Sequence, residues 1–419
     1  MRRLVTAIAL VIVSGAALGT QPGPIGQRLL QRLDVTAARA AVRQGEPQVL
    51  QDQVELSEIP APLMKEGPRG AAVRARFAAA GLTDVRTDGA GNVLGERRGR
   101  SLHPHLVLAA HLDTVFPEGT NVKTTREGGI IKGPGIADDA RGLAVLLGVA
   151  RALEAGKVES DGTITFVADV GEEGLGDLRG MKGLFNQTLK GTVDDFISID
   201  GSGLDLTNAG VGSHRYRVTF KGPGGHSFGD FGLANPVHAL GRAIALVADF
   251  QVPADPRTTF NVGRVGGGTS VNSIPYEAWM EVDMRSAGTA ALESLDASFR
   301  KAVDRALAEE NARWGGRGQL SVVRDLVGDR PAGRTPEDSL IVRTAIDVTK
   351  SIGAAIDLGA GSTDANYPMS LGIPAITIGG GGLGSGAHSL GESFDPTDSW
   401  RGTERALLLA VALVTRPGA

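Results

Sequence analysis

Residues 106–113 read LVLAAHLD, a short apolar run that ends in a histidine and an aspartate. Such a run is typical of a strand that is buried on both faces. The same design recurs at residues 163–173, TITFVADVGEE, and at residues 196–200, FISID. Between the first two runs, residues 141–155 are apolar nearly all round and predict a buried helix. This alternation predicts an α/β fold with a mostly parallel sheet that is covered by helices on both faces.

The pattern changes after residue 211, where polar and apolar residues alternate with period two. This alternation predicts strands with one covered and one wet face. With two helices between them, these strands follow a β-α-β-β-α-β order, the split βαβ arrangement. The predicted strands are 215–221, 258–265, 278–284 and 319–324, and the predicted helices are 235–249 and 289–311. We therefore predict a catalytic domain formed by residues 24–211 and 331–419, interrupted by a ferredoxin-like α+β domain at 212–330.

The composition of the chain excludes several classes of function. The 419 residues contain 43 Lys and Arg against 47 Asp and Glu, a net charge of −4, which gives no basic face for nucleic acid. Aromatic residues are only 4%, which also argues against base-stacking surfaces. Because the chain has no cysteine, disulfides and thiol catalysis are excluded, and any metal site must use His, Asp and Glu.

Residues 1–20 have the pattern of an export signal. Arg2 and Arg3 precede an apolar run from Leu4 to Ala17, and a small residue follows at Gly19. The run is short for a membrane span, so we expect cleavage, with an uncleaved membrane anchor as the alternative. The mature protein is then expected in the periplasm or outside the cell, with no stable membrane insertion.

Polar side chains with metal-binding chemistry follow the ends of the predicted strands. His111 and Asp113 close the first strand, Glu172 and Glu173 follow the second, and Asp200 ends the third. In open α/β sheets, ligands bind beyond the carboxyl ends of the strands. We therefore expect these five side chains to meet at one edge of the sheet.

Two further segments add candidate ligands. Residues 133–142 read GPGIADDARG and place Asp138 and Asp139 at a helix start, and His388 lies in the loop GAHS at 386–389. Helix capping alone would explain one of the two aspartates. Oxygen and nitrogen ligands without sulfur suit zinc, manganese or cobalt. The carboxylates outnumber those that one catalytic zinc takes, which favours a two-metal site.

The order and spacing of these residues resemble the motifs of the co-catalytic di-zinc exopeptidase family, which includes glutamate carboxypeptidase, peptidase T, acetylornithine deacetylase and succinyl-diaminopimelate desuccinylase. The motifs are His111-x-Asp113, Asp138-Asp139, Glu172-Glu173, Asp200 and His388. The resemblance spans residues 50–415. The segment GPGIADD and the aspartate at position 200 are most similar to the glutamate carboxypeptidase and peptidase T branches.

The resemblance implies a ligand set for two metal ions per chain, with zinc expected and cobalt or manganese as alternatives. His111 and Asp200 would hold one ion, and Glu173 and His388 would hold the other. Asp138 would bridge the two ions, and the peptide bond that follows it is cis in the family.

The resemblance also implies roles outside the ligand set. Asp113 would orient the metal-binding histidine next to it, and Glu172 would be the general base. The domain at 212–330 would be a lid, and in some relatives it carries a dimer contact, so a homodimer through the lid is expected here. On the lid, His226 would reach the scissile carbonyl, and Arg285 and Asn272 would bind a substrate carboxylate.

Three functions remain open on the sequence alone. The first is a zinc-dependent exopeptidase that acts on short peptides, of carboxypeptidase or aminopeptidase type. The second is an N-acyl-amino-acid deacylase with the same two-metal site. The third is an exported binding protein without turnover, which the presence of the base and all five ligands disfavours. The pocket walls that decide between the first two are not determined by these motifs.

Overall fold

The computed structural model describes residues 24–415, so the predicted export signal lies outside the described residues. Within this range, no helix combines the length and the apolar character that crossing a membrane requires.

Residues 24–210 supply most of a nine-stranded sheet and several of the helices that cover it. In chain order the elements are α1 (Pro24–Gln31), α2 (Leu33–Ser57), α3 (Gly67–Ala79), β1 (Thr83–Thr87), β2 (Val93–Arg97), β3 (His105–His111), β4 (Thr125–Glu127), β5 (Ile130–Lys132), α4 (Ala140–Ala155), β6 (Thr163–Asp169), α5 (Arg179–Gly183), β7 (Asp195–Ile199) and β8 (Leu206–Gly210). Every residue of β3, β6 and β7 is buried. The three apolar runs of the sequence are therefore the central strands.

Residues 212–330, here called the lid, form a separate four-stranded antiparallel sheet. Its elements are β9 (Gly212–Lys221), β10 (Gly225–His226), α6 (Pro236–Ala248), β11 (Thr258–Gly267), β12 (Ser273–Ile274), β13 (Glu277–Ser286), α7 (Thr289–Arg313) and β14 (Ser321–Arg330). The strand order is β11-β13-β9-β14, and alternate residues of β13 are buried beneath the helices. The lid thus has the split βαβ order that the alternation predicted.

The chain then returns to the first sheet. The remaining elements are β15 (Gly333–Arg334), α8 (Leu340–Ser351), β16 (Leu358–Gly361), α9 (Asn366–Ser370), β17 (Ala375–Ile378), β18 (Leu383–Ser385), β19 (Ser393–Asp395) and α10 (Trp400–Val414). The nine-stranded sheet has the order β1-β2-β6-β3-β7-β17-β8-β15, with β16 beside β8. A small sheet of β18, β19, β5 and β4 lies apart from it.

The centre of the large sheet is parallel, since β6, β3, β7 and β17 all run in one direction. Alternate residues of β3 pack to opposite sides because side chains of a strand alternate between its faces. Leu106 and Leu108 join a core with α4, α8 and α10, whereas Val107 and Ala109 join a second core with α5 and α9. The predicted α/β class is confirmed, and the exact domain limits stay a prediction.

Candidate metal centre

The carboxyl ends of three neighbouring parallel strands bring the predicted ligands together. His111 is the last residue of β3, Glu172 and Glu173 follow β6, and Asp200 follows β7. Ligand atoms of His111, Asp138 and Asp200 lie within 4.8 Å of one another. A second group, Asp138, Glu173 and His388, meets the same limit. These two groups share Asp138, the residue to which the resemblance gives the bridging role, and a third group, His111, Glu172 and Glu173, meets the same limit.

The two oxygens of Asp138 face different histidines. Its Oδ1 lies 3.0 Å from Nε2 of His111, and its Oδ2 lies 3.1 Å from Nε2 of His388. His388 Nε2 is also 2.9 Å from Oε1 of Glu173. The peptide bond between Asp138 and Asp139 is cis, as the resemblance implied. Asp138 can therefore offer one oxygen to each of two ions.

The electrostatics of the site fit a pair of divalent cations. Burial, together with the neighbouring Asp138 carboxylate, raises the pKa of Asp200 to about 8. Burial likewise raises the pKa of Glu173 to about 7. Ionised carboxylates crowded in a buried place need a compensating positive charge. Two imidazoles and three carboxylates without sulfur form a donor set that suits zinc, cobalt or manganese.

Asp113 contacts His111 through its main chain rather than through its carboxylate. Its carboxylate Oδ1 lies 3.9 Å from Nδ1 of His111, whereas its main-chain oxygen lies 3.0 Å from that nitrogen. The carboxylate instead accepts hydrogen bonds of 2.8–3.1 Å from three successive N–H groups, those of residues 171–173. Asp113 thus orients the histidine through its main chain, and its side chain fixes the turn that carries Glu172 and Glu173.

Asp139 does more than cap a helix. It accepts the N–H of Gly142 at 3.0 Å at the start of α4, as the capping interpretation expects. Its carboxylate also accepts the N–H of His111 at 3.1 Å and that of Gly201 at 3.2 Å. It therefore ties the ends of β3 and β7 to the loop that carries Asp138.

Glu392 is a further residue beside the ligands, one to which the sequence analysis assigned no role. Its side chain is fully buried and accepts three main-chain hydrogen bonds from the loop before α4. The donors are the N–H groups of Gly135, Ala137 and Asp138, at 2.9, 2.8 and 3.0 Å. Its one sequence signal is its position four residues after His388. Glu392 therefore links the loop that carries Asp138 to the loop that carries His388, two candidate ligands of the second group.

Arg330 was also missed. It ends β14 of the lid, is buried, and donates from Nη1 to Oε1 of Glu172 at 3.0 Å and to the hydroxyl of Ser362 at 3.2 Å. A further contact joins its Nη2 to the main-chain oxygen of Glu172. No local pattern marks Arg330, because its partner lies 158 residues away in sequence.

The ligands open into a cavity of about 400 Å³ whose wall includes residues from both parts of the fold. Three arginines of the lid, Arg215, Arg285 and Arg330, line it together with Glu172. Arg285 donates to Oδ2 of Asp283 at 2.7 Å, and Arg215 donates to Oδ1 of the same residue at 2.9 Å. Arg285 thus lies in the wall of the metal cavity, and its contact with a substrate carboxylate stays a prediction.

His226 and Asn272 lie outside the wall of this cavity. They lie beside each other on the lid, where β10 pairs with β12 and the N–H of Ser227 donates to the main-chain oxygen of Asn272 at 3.0 Å. Both residues are exposed. Their predicted contacts with substrate require lid closure or a second subunit, so these roles stay predictions.

Comparisons with known proteins agree with this geometry. The model of peptidase family M20/M25/M40 matches residues 107–412. The protein YqjE of Bacillus subtilis is 27% identical over 350 residues, covering 80% of this chain and 90% of the relative. Carboxypeptidase G2 of Pseudomonas sp. strain RS-16 is 27% identical over 312 residues, covering 71% of this chain and 72% of the relative.

A solved structure shares the fold. The tripeptidase from Staphylococcus aureus has a TM-score of 0.73 at 23% identity, covering 89% of this chain and 99% of that chain. The family match, which spans most of the chain, includes all the candidate metal ligands from His111 to His388. The chain therefore belongs to peptidase family M20/M25/M40.

Proposed function

We propose that this chain is a zinc-dependent exopeptidase that acts on short peptides. Its family gives the coarser statement, namely a metal-dependent hydrolase of amide bonds in peptides or acyl amino acids. The observation that carries the proposal is the pair of ligand groups that share Asp138. A base candidate, Glu172, and a carboxylate-binding candidate, Arg285, line the same cavity.

The five ligands would hold two divalent ions, one by His111, Asp138 and Asp200 and the other by Asp138, Glu173 and His388. When bound, such ions lower the pKa of a water molecule and polarise the substrate carbonyl. Zinc is proposed because imidazole and carboxylate donors suit it, and cobalt or manganese are the alternatives.

Glu172 is proposed to take a proton from the attacking water and to return it to the leaving nitrogen. The N–H bonds to Asp113 fix its main chain, and Arg330 holds one of its two carboxylate oxygens. No described hydrogen bond joins this arginine to the second oxygen, Oε2, which is proposed to take the proton. The guanidinium also compensates the charge of a glutamate that is almost fully buried.

The lid is proposed to recognise a free carboxylate on the substrate. Arg215 and Arg285 share one carboxylate, that of Asp283, so the pair retains a net positive charge at the cavity wall. A guanidinium binds a carboxylate well through two parallel hydrogen bonds. Asn272 would assist, and His226 would contact the developing oxyanion after lid closure or from a partner subunit in a homodimer.

An N-acyl-amino-acid deacylase is the second candidate. It is favoured by the relative succinyl-diaminopimelate desuccinylase of Nitrosospira multiformis, 26% identical over 307 residues, which covers 68% of this chain and 77% of the relative. The metal centre would serve both reactions, because each hydrolyses an amide. We further propose that the enzyme works in the periplasm or outside the cell, on the strength of the pattern at residues 1–20.

The test is a substrate screen with purified protein, comparing dipeptides with N-acetyl amino acids, before and after removal of metal by a chelator. Hydrolysis of dipeptides that zinc restores after chelation would support the exopeptidase. Hydrolysis of the N-acetyl series alone would replace it with the deacylase, and no hydrolysis of either with two bound metal ions would refute both.

A further inference from the structure

A second cavity, of about 380 Å³, adjoins the metal centre. It is formed by the segment after α2, the segment after β3 and the turn that carries Glu173. Most of its wall is apolar, and this apolar wall consists of Pro62, Leu63, Val115, Phe116, Pro117 and Leu175. We call this cavity the apolar pocket.

The apolar pocket shares part of its wall with the metal cavity. Val115, Glu173 and Gly174 line both the apolar pocket and the metal cavity. A substrate bound at the metal centre therefore has direct access to it. Glu173 contributes a proposed ligand, so the opening of the pocket lies beside the place where the scissile carbonyl would be polarised.

The two cavities differ in the charged residues that line them. The three lid arginines line the metal cavity, whereas no described residue that lines the apolar pocket is an arginine. Apart from Glu173, its charged lining residues are Lys65 and Glu118, which form an exposed ion pair with each other. Apart from the proposed ligand Glu173, the apolar pocket thus offers no unbalanced charge to a substrate carboxylate or ammonium group.

Two large apolar side chains of the lining are exposed to solvent. Leu175 has 62% of its surface exposed, and Val115 has 38%. Covering such surface with an apolar group releases water and is favourable. The apolar surface at this place is open on the side that faces the substrate, since Val115 also lines the metal cavity.

We infer that the apolar pocket binds an apolar side chain attached on the carbonyl side of the scissile bond. The inference rests on the proposed function, because the lid arginines then hold the carboxylate on the leaving side. Arg285 and Val115 both line the metal cavity, whereas only Val115 also lines the apolar pocket. The predicted substrates are therefore peptides with a bulky aliphatic or aromatic residue before the cleaved bond.

The direct test compares kcat/KM for Gly-Ala, Ala-Ala, Leu-Ala and Phe-Ala. One methylene in an apolar pocket changes specificity by about 10–200-fold, so Leu-Ala should exceed Gly-Ala by at least about 10-fold. A parallel series of acetyl-alanine and hexanoyl-alanine determines whether the apolar group belongs to a peptide or to an acyl chain. A flat profile in both series, with measurable turnover, would overturn the inference while leaving the proposed function intact.

Substitutions in the lining test whether the apolar pocket causes the preference for an apolar residue before the cleaved bond. Leu175→Asp and Leu63→Asp each place a charge in the apolar pocket, and each should lower the ratio of Leu-Ala to Gly-Ala kcat/KM toward one. Leu175 is close in sequence to Glu173, so Leu175→Asp could act indirectly through that ligand. Leu63 lies far in sequence from every proposed ligand, so Leu63→Asp tests the pocket without this effect. The matched control is Leu371→Asp, an exposed leucine outside both cavities, which should leave the ratio unchanged. An unchanged ratio in both pocket variants, or an equal fall in the control, would contradict the assignment.

Discussion

The edge of the large sheet and the lid connections differ in how the fold places their functional residues. At the sheet edge, His111, Glu173 and Asp200 meet because parallel neighbouring strands end side by side. On the lid, His226 lies in the two-residue strand β10 and Asn272 precedes β12, in the segments that connect the strands of the four-stranded sheet, and neither residue lines the metal cavity. The sheet topology alone brings residues at strand ends together. Residues in the connecting segments of the lid, in contrast, would reach a substrate only after lid movement or from a partner subunit.

The largest effect should follow from changing the base at the sheet edge. We expect Glu172→Gln to lower kcat by about 10²–10⁴-fold, the usual contribution of general acid–base catalysis. Metal content, measured by elemental analysis, should remain at two ions per chain because Glu172 is not in the proposed ligand set. Glu159→Gln, at an exposed glutamate, is the control. Loss of metal in Glu172→Gln would mean that Glu172 and Glu173 have each other's roles.

On the lid, the corresponding change is Arg285→Ala. Losing a charge-assisted contact with the substrate carboxylate should cost about 2–5 kcal/mol of transition-state stabilisation. The measurement is kcat/KM on one substrate in its free-acid and amidated forms, and the defect should shrink for the amide. Arg264→Ala, an exposed arginine of the same sheet, serves as the control. An equal loss on both forms would show that Arg285 does not bind the carboxylate.

Glu392→Gln tests the support of the sheet edge. The carboxylate accepts two N–H groups at Oε1 and one at Oε2, so an amide must turn an NH₂ toward at least one donor. Loosening the loop should lower metal affinity by about 10–100-fold, as for other groups that support ligands. Titration of the metal-free protein with zinc measures this. Unchanged affinity for both ions would contradict the positioning role of Glu392.

The sequence predicts residues at strand ends better than contacts between segments that are distant in sequence. The meeting of His111, Glu172, Glu173 and Asp200 was predicted because short apolar runs locate strand ends, and strand ends of a parallel sheet converge. Their roles as ligands and base came from the family resemblance and stay predictions. The contacts of Asp113 and Arg330 were not found, because each depends on segments that only the tertiary fold brings together. The β1–β2 hairpin was also missed, because β1 has no buried residue and β2 has only two apolar side chains, Val93 and Leu94. Sequence patterns report local burial well and long-range polar pairing poorly.

His226→Ala tests whether the lid connections act at all. If His226 contacts the developing oxyanion, kcat should fall while KM changes little and metal content is unchanged. Removing one such donor typically costs about 10²-fold in kcat. A dependence of the wild-type specific activity on protein concentration would indicate that the histidine comes from a partner subunit. A normal kcat in His226→Ala would remove the catalytic role from this region.

The smallest expected effect lies within the lid, at His214 on β9. Its ring nitrogens lie 3.3 Å from Asp296 and 3.4 Å from Asp329, and the bond to Asp329 raises the pKa of the imidazole above its usual value of 6.5. Arg300 and Lys182 also face these carboxylates and reduce the effect. Because the folded-state pKa is the higher one, the charged histidine stabilises the lid fully below about pH 6.5 and loses this contribution as the pH rises through the folded pKa.

Asp329 is half exposed, so solvent screening limits the stabilisation to no more than about 1 kcal/mol. The measurement is the free energy of unfolding in urea, for the wild type and His214→Gln, at pH 5.5 and pH 8.5. The difference between the two proteins should be larger at the lower pH, because glutamine keeps a polar group but cannot become charged. A difference that is independent of pH would show that His214 contributes through packing alone, and that the lid has no titratable contact at this position.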